Sequence, residues 1–141
     1  MPKIFRFKFT VPDDVIDENG HVNNVAYVQW MQDIAIMHSD AHGYNRAKYD
    51  ELGTAMIARW HHIEYLRPTY AGDEIEAYTW ASQFKKTNAI RKYKFIRASD
   101  KAVLAKAETL WVYIDQKTGR PRVFHQEFRD AFDVVPETEE P

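Results

Sequence analysis

Asp17-Glu18-Asn19-Gly20-His21-Val22-Asn23-Asn24-Val25-Ala26-Tyr27-Val28-Gln29-Trp30 sets polar side chains in a loop and then runs directly into an apolar segment. Gly20 marks the loop. Asn23 suits an N-cap, because its side-chain oxygen can accept a hydrogen bond from an unpaired amide of a first helical turn. From Asn24 to His42 there is neither proline nor glycine, which predicts one long helix ending at Gly43. Gln29, Gln32, Asp33 and Asp40 form a narrow polar stripe broken by Ile36, and the rest of the circumference is largely apolar. A surface helix is apolar over about a third of its circumference, so the wide arc predicts a helix embraced by other elements.

Upstream, Phe5, Phe7, Phe9 and Val11 alternate with Ile4, Arg6, Lys8 and Thr10, the period of a half-buried strand over residues 3–11. The charged and apolar alternation from Met1 to Phe9 reads as that strand and not as a signal peptide. Downstream, residues 45–52 form a short helix or an irregular connection. After Gly53 the period changes to two and stays there, predicting strands over residues 54–67, 73–84, 89–98 and 102–115. Residues 126–132 add a helical turn, and the tail 137–141 is expected to fray. One long, mostly apolar helix with about five antiparallel strands predicts an α+β fold, the sheet curving around the helix. A single layer of this kind leaves a sheet face and edges to cover, which predicts an oligomer.

With 141 residues, 45% of them hydrophobic, one core and one domain spanning 1–141 are expected. A net charge of −2 gives no global basic field for nucleic acid or an anionic membrane. No apolar run approaches the roughly 20 residues of a membrane-spanning helix. The absence of cysteine removes disulfides, thiolate metal sites and a cysteine nucleophile. These features point to the cytoplasm, with no membrane or nucleic-acid partner, no metal and no cofactor. His38 and His42 stand at i, i+4, but without the glutamate of the H-E-x-x-H pattern they read as helix-end packing.

The string Asp17-x-Asn19-x-His21-Val22-Asn23-Asn24-Val25-x-Tyr27, then Trp30, Ile63-Glu64-Tyr65-Leu66-Arg67-Pro68 and Tyr70-Ala71-Gly72-Asp73-Glu74, resembles the hot-dog-fold acyl-CoA and acyl-ACP thioesterases over nearly the whole chain. The Asp-x-Asn-x-His-Val-Asn-Asn string is similar to plant acyl-ACP thioesterases, and the chain length to the bacterial 4-hydroxybenzoyl-CoA thioesterase-like branch. The resemblance implies a hot-dog fold, a homodimer or homotetramer, and hydrolysis of an acyl thioester carried on coenzyme A or acyl carrier protein. It also implies that Asp17 is the nucleophile or general base, with Asn19 and His21 orienting the carboxylate or the water.

A carboxylate can do this work without serine or cysteine, and the amides near Asn24 and Val25 present partial positive charge to a developing oxyanion. Read without the resemblance, Asp17 is equally an Asx-turn or capping residue, and His21 a structural hydrogen-bonder. Glu64 is expected to share a strand face with Met56, Ala58, Trp60 and Leu66, where an acid must be paired, protonated or functional. The alternatives are a role beside Asp17 and an ion pair with Arg67 or another base. Tyr27, Val28, Met31 and Trp60 are candidates to line an acyl pocket. Lys85, Lys86 and Arg91 belong to a basic hairpin that offers either a landing site for the phosphates of coenzyme A or an acidic carrier, or a solvated face with edge protection. Two other readings stay open: a dehydratase or hydratase acting on acyl thioesters, and a non-catalytic acyl-CoA binding subunit.

Overall fold

The computed structural model describes residues 3–141; Met1 and Pro2 of the N-terminal reading lie outside them. Strand β1 (Phe5–Thr10) precedes the long helix α1 (Asn24–Ala41) and a short helix α2 (Arg46–Leu52). Four strands follow, β2 (Thr54–Tyr65), β3 (Glu74–Phe84), β4 (Asn88–Arg97) and β5 (Val103–Asp115), and then a short helix α3 (Gln126–Ala131). All pairings are antiparallel and the order across the sheet is β1-β3-β4-β5-β2. β1 and β2 are therefore the edges.

α1 begins where its cap dictates: Asn23 Oδ1 accepts from the Ala26 amide at 2.8 Å, satisfying one of the four donors a helix start leaves unpaired. α2 begins in the same way, with Asn45 Oδ1 on the Lys48 amide, and ends at Gly53, whose φ of 68° only glycine adopts at no steric cost. α1 packs on β3. Met31 and Ile34 on its inner side meet Ile75, Phe95, Leu104 and Ala105 of the sheet, all at most 2% exposed. Burying each of the larger side chains is worth about 1.5–3 kcal/mol. At the other end of the helix, Tyr44, Tyr113, Phe124, Phe128 and Phe132 form a second, aromatic cluster that fastens α3 to the sheet.

Within one chain α1 is not embraced on every side. Val25 is 76% exposed and Ile36 51%, and Val28 is exposed with them, because α1 lies over β3 and leaves the β2 side of the sheet uncovered. The tail is not frayed either. It turns through Glu137–Glu139, and the Glu140 carboxylate accepts from Lys92 Nζ at 2.9 Å and from Trp80 Nε1 at 3.1 Å. No helix among the described residues is long and apolar enough to cross a membrane.

A β-bulge corrects the expected faces of β2. Ala58 pairs with Trp111 but Trp60 pairs with Leu110, so Arg59 is the extra residue. Side chains alternate in strict period two, and one inserted residue sends everything beyond it to the opposite face. Met56 and Ala58 face α1; beyond the bulge His61, Ile63 and Tyr65 face it instead. Trp60, His62 and Glu64 turn to the outer side, beside Leu110, Glu108 and Lys106.

Candidate active site

The loop from Ile16 to Val22 is a small hairpin, closed by a bridge between those residues. The Asp17 amide donates to the His21 carbonyl at 2.8 Å and the Gly20 amide to the Asp17 carbonyl at 3.0 Å. Gly20 sits at φ 78°, so the loop needs a residue without a Cβ there. Asp17 completes an Asx-turn: its Oδ1 accepts from the amides of Asn19 at 2.9 Å and His21 at 3.3 Å. Both donors are backbone groups, and the carboxylate keeps Oδ2 free of hydrogen bonds to the described residues. Asp17 is thus exposed yet held through one oxygen.

The hairpin is fastened to the helix start. Val22 donates its amide to Thr69 at 2.8 Å, and Asn23 donates its amide and its Nδ2 to the carbonyl of Val15 at 2.8 and 2.9 Å. With Asn23 Oδ1 on Ala26, the amides of Asn24 and Val25 have no partner among the described residues. These donors and the helix dipole give the start of α1 partial positive charge. The Tyr65 hydroxyl reaches across from β2 and donates to the Asn24 carbonyl at 3.0 Å, bracing this turn from the sheet. The His21 ring stands edge-on to Tyr70 at 5.3 Å, while Asn19 engages Asp17 only through its amide.

The structure brings Asp17, Asn19, His21 and Asn24 together and disperses the other candidates. Glu64 is exposed on the outer face, with His62 Nε2 at 3.5 Å as its ion-pair partner; the expected apolar surroundings are overturned by the bulge at Arg59, and of the expected pair with Arg67 or another base it is His62, not Arg67, that supplies the base. Tyr27 is a core residue, its hydroxyl bonded to Thr69 and its ring among Trp30, Tyr65 and Phe95. Burial, the largest influence, raises its pKa above the ordinary tyrosine value. Met31 is fully buried in the same core, Val28 is exposed, and Trp60 stands on the outer face at 40% exposure. These four do not converge on one pocket within a chain.

Lys85 and Lys86 are exposed in the β3–β4 turn, at the end of the sheet where β2 begins, whereas the helix start is braced by Tyr65 where β2 ends. Arg91 departs from the basic hairpin altogether. It faces α1, and its Nη1 donates to His38 Nδ1 at 2.7 Å and to Thr79 Oγ1 at 3.1 Å. The expectation of a surface phosphate contact at Arg91 is therefore corrected: strand alternation places it inside while Lys92 and Lys94 point out. Tyr65, Thr69 and Tyr70 escaped notice as supports of the site. Thr69 and Tyr70 carry no periodic signal, and the face of Tyr65 depends on the bulge. No group of three or more metal-ligating side chains occurs among the described residues.

A long helix laid on a five-stranded antiparallel sheet of this order, with a polar loop at the helix start, defines the hot-dog class. Over residues 10–132 the sequence matches the Thioesterase-like superfamily, and the chain belongs to that family. The fold is shared with a 1,4-dihydroxy-2-naphthoyl-CoA thioesterase from Synechocystis at TM-score 0.83 and 18% identity, covering 92% of this chain and 95% of that one. It is shared also with a hypothetical protein from Staphylococcus aureus solved in complex with CoA, at TM-score 0.86 and 18% identity, covering 98% and 86%. An acyl-ACP thioesterase from Bacteroides thetaiotaomicron superposes at TM-score 0.84 with 20% identity, covering 99% of this chain and 57% of that longer one. No curated protein matches the sequence.

Proposed function

We propose that the chain hydrolyses an acyl thioester of coenzyme A or of acyl carrier protein to the free acid and the thiol. Family membership supports thioester hydrolysis in general. The observation that carries the residue-level reading is Asp17, gripped through Oδ1 by its own loop, on a hairpin tied by Asn23 to a helix start with two unpartnered amides.

In the general-base form, Asp17 takes a proton from water as the water oxygen adds to the thioester carbonyl. The oxyanion accepts from the amides of Asn24 and Val25, where one such donor is worth about 3 kcal/mol of transition-state stabilisation in comparable sites. Collapse breaks the C–S bond, and the proton passes from Asp17 to the departing thiolate. In the nucleophilic form Asp17 itself adds to the carbonyl, the thiolate leaves, and water then cleaves the resulting anhydride. His21, set against Tyr70, and Asn19 hold the loop that aims the carboxylate.

A second copy of the chain completes this reading. The free edge of β2 exposes Ile57, Trp60, Tyr65 and Leu66, and α1 exposes Val25, Val28 and Ile36; an unpaired edge with apolar flanks is a template for association. Lys85 and Lys86 lie at the opposite end of the sheet from the helix start of their own chain. Antiparallel pairing of two β2 edges carries the hairpin of one copy toward the helix start of the other, where nucleotide phosphates or an acidic carrier need positive charge. The test is a panel of acyl-CoA and acyl-ACP thioesters read by free-thiol release, run beside the Asp17→Asn variant.

A further inference from the structure

Between α1 and the first half of β2 lies a cavity of about 300 Å³ open to solvent on one side, lined by Gln32, Tyr49, Thr54, Met56, Arg91 and Trp111 among others. Arg91 faces it from β4, opposite Ala81 and Thr109. Both groups that accept from its guanidinium, His38 Nδ1 and Thr79 Oγ1, are neutral. His38 is kept so first by burial and then by Arg91, which together push it down to about 2. Among the described residues no carboxylate forms an ion pair with Arg91. Asp40, the acid of the cavity wall, is exposed and unpaired with it, and Arg46 beside it is taken by Asp50 at 3.1 Å. Thr54 is 0% exposed, and its hydroxyl has no partner.

A cation withdrawn from water without a counter-ion is costly; the unpartnered Thr54 hydroxyl lies at the other end of the cavity, level with Asp115 of β5 where Arg91 is level with Thr109. The cost at Arg91 is relieved by an anion that enters the cavity and accepts from the guanidinium. The position fixes which part of a substrate this is. Gln32 lies about 12 Å and Ser39 about 22 Å along the helix from Asn24 at 1.5 Å per residue, too far for the reacting thioester and suited to the far end of its acyl group. Val28, Gln32 and Ile36, exposed on successive turns of α1, mark the way between them.

We propose that this cavity receives the distal carboxylate of a dicarboxylic acyl group, paired with the Arg91 guanidinium. The assignment of the other end of that substrate as a thioester rests on the function proposed above; the affinity of the cavity for a carboxylate does not.

Two measurements separate these parts. In the first, kcat/KM is compared for carboxylate-ended and methyl-ended acyl-CoA pairs of matched length: adipoyl against hexanoyl, suberoyl against octanoyl, dodecanedioyl against dodecanoyl. The wild type favours the carboxylate-ended member at one length or more by roughly 10–100-fold, the worth of a charge-assisted pair. Arg91→Met abolishes that ratio, and Arg91→Lys retains part of it. A wild type indifferent to the terminal group, or an Arg91→Met variant that keeps the preference, overturns the proposal. If Arg91 only ties β4 to α1, its loss lowers thermal stability and both substrate series together and leaves their ratio intact, which also overturns it. In the second, dodecanoate and dodecanol are titrated against tryptophan fluorescence, to which Trp111 in the cavity wall contributes. Dodecanoate binds more tightly to the wild type and loses that advantage in Arg91→Met. This result without any thioester cleavage upholds the cavity and removes the thioesterase reading; cleavage without carboxylate preference removes the cavity proposal and leaves the thioesterase reading standing.

Discussion

The side-chain amide of Asn23 donates to the carbonyl of Val15 at 2.9 Å while the oxygen of the same amide caps α1 on Ala26. One side chain therefore joins the Asp17 hairpin to the start of α1. Asn23→Asp keeps the cap and loses the side-chain half of the tether, the backbone amide of residue 23 still donating to Val15; Asn23→Ala loses the cap as well. Asn23→Ala lowers unfolding free energy by about 1–2 kcal/mol, as cap removal does, and Asn23→Asp by less, while both lower kcat. Thermal melts run beside thiol-release kinetics check this; a full-activity Asn23→Asp shows that the side-chain hydrogen bond to Val15 does not position Asp17.

Glu64 looked from the alternation of β2 like an acid among apolar neighbours, and the bulge at Arg59 places it on the outer face. Exposed, with His62 as its ion-pair partner, it contributes less than about 0.5 kcal/mol. Glu64→Ala leaves the melting curve and kcat/KM close to wild type. A large loss of activity in this variant restores Glu64 to the site.

His38 gives folding a defined pH dependence. In the unfolded chain it takes up a proton near its ordinary value of 6.5, and in the folded protein at about 2. Between these values the unfolded state binds more protons, so stability falls as pH falls below 6.5, by up to about 1.4 kcal/mol per pH unit. The amides of Thr118 and Lys117 hold Asp115 below its ordinary value, and Lys101 and then Tyr78 do the same for Glu76. These two carboxylates add further loss, with the same sign, at lower pH. Urea unfolding between pH 7 and 4.5 measures the slope; in His38→Gln it flattens between pH 6.5 and 5, and an unchanged slope contradicts the burial of a neutral imidazole.

The exposed edge of β2 makes assembly a prediction of its own. Sedimentation of the wild type gives a dimer or tetramer. Ile57→Asp combined with Leu66→Asp, both at exposed apolar positions on or beside the edge, gives a monomer with most thioesterase activity lost. A fully active monomer removes the second copy from the site.

Much of this was legible in the sequence, because periodicity reports local geometry. The proline- and glycine-free run after Asn23 became α1 with the expected cap, and the period-two segments became β2 to β5 within two residues of their expected ends. What escaped depended on contacts between distant residues. Nothing near Arg59 announces a bulge, so Trp60 and Glu64 were expected on the wrong face. Arg91 lies in a basic string whose charge suggested solvent, yet its position in β4 turns it toward His38, 53 residues earlier in the chain. Tyr65 reaches the Asn24 carbonyl across 41 positions, and no local pattern encodes such a brace. The helix looked enclosed because its apolar arc is wide; in one chain Val25 and Ile36 stay uncovered.

In the proposed function the Asp17 carboxylate performs thioester hydrolysis at the start of α1. Asp17→Asn preserves the size of the side chain and an oxygen to accept from the amides of Asn19 and His21, and removes the basic, nucleophilic carboxylate. Thiol release from the best substrate of the acyl-CoA and acyl-ACP panel is measured for both proteins at matched concentration and equal melting temperature. The expected result is a fall in kcat of roughly 100-fold or more, in line with the loss of a positioned general base, with KM little changed; an Asp17→Asn protein that releases thiol at the wild-type rate removes Asp17 from the chemistry.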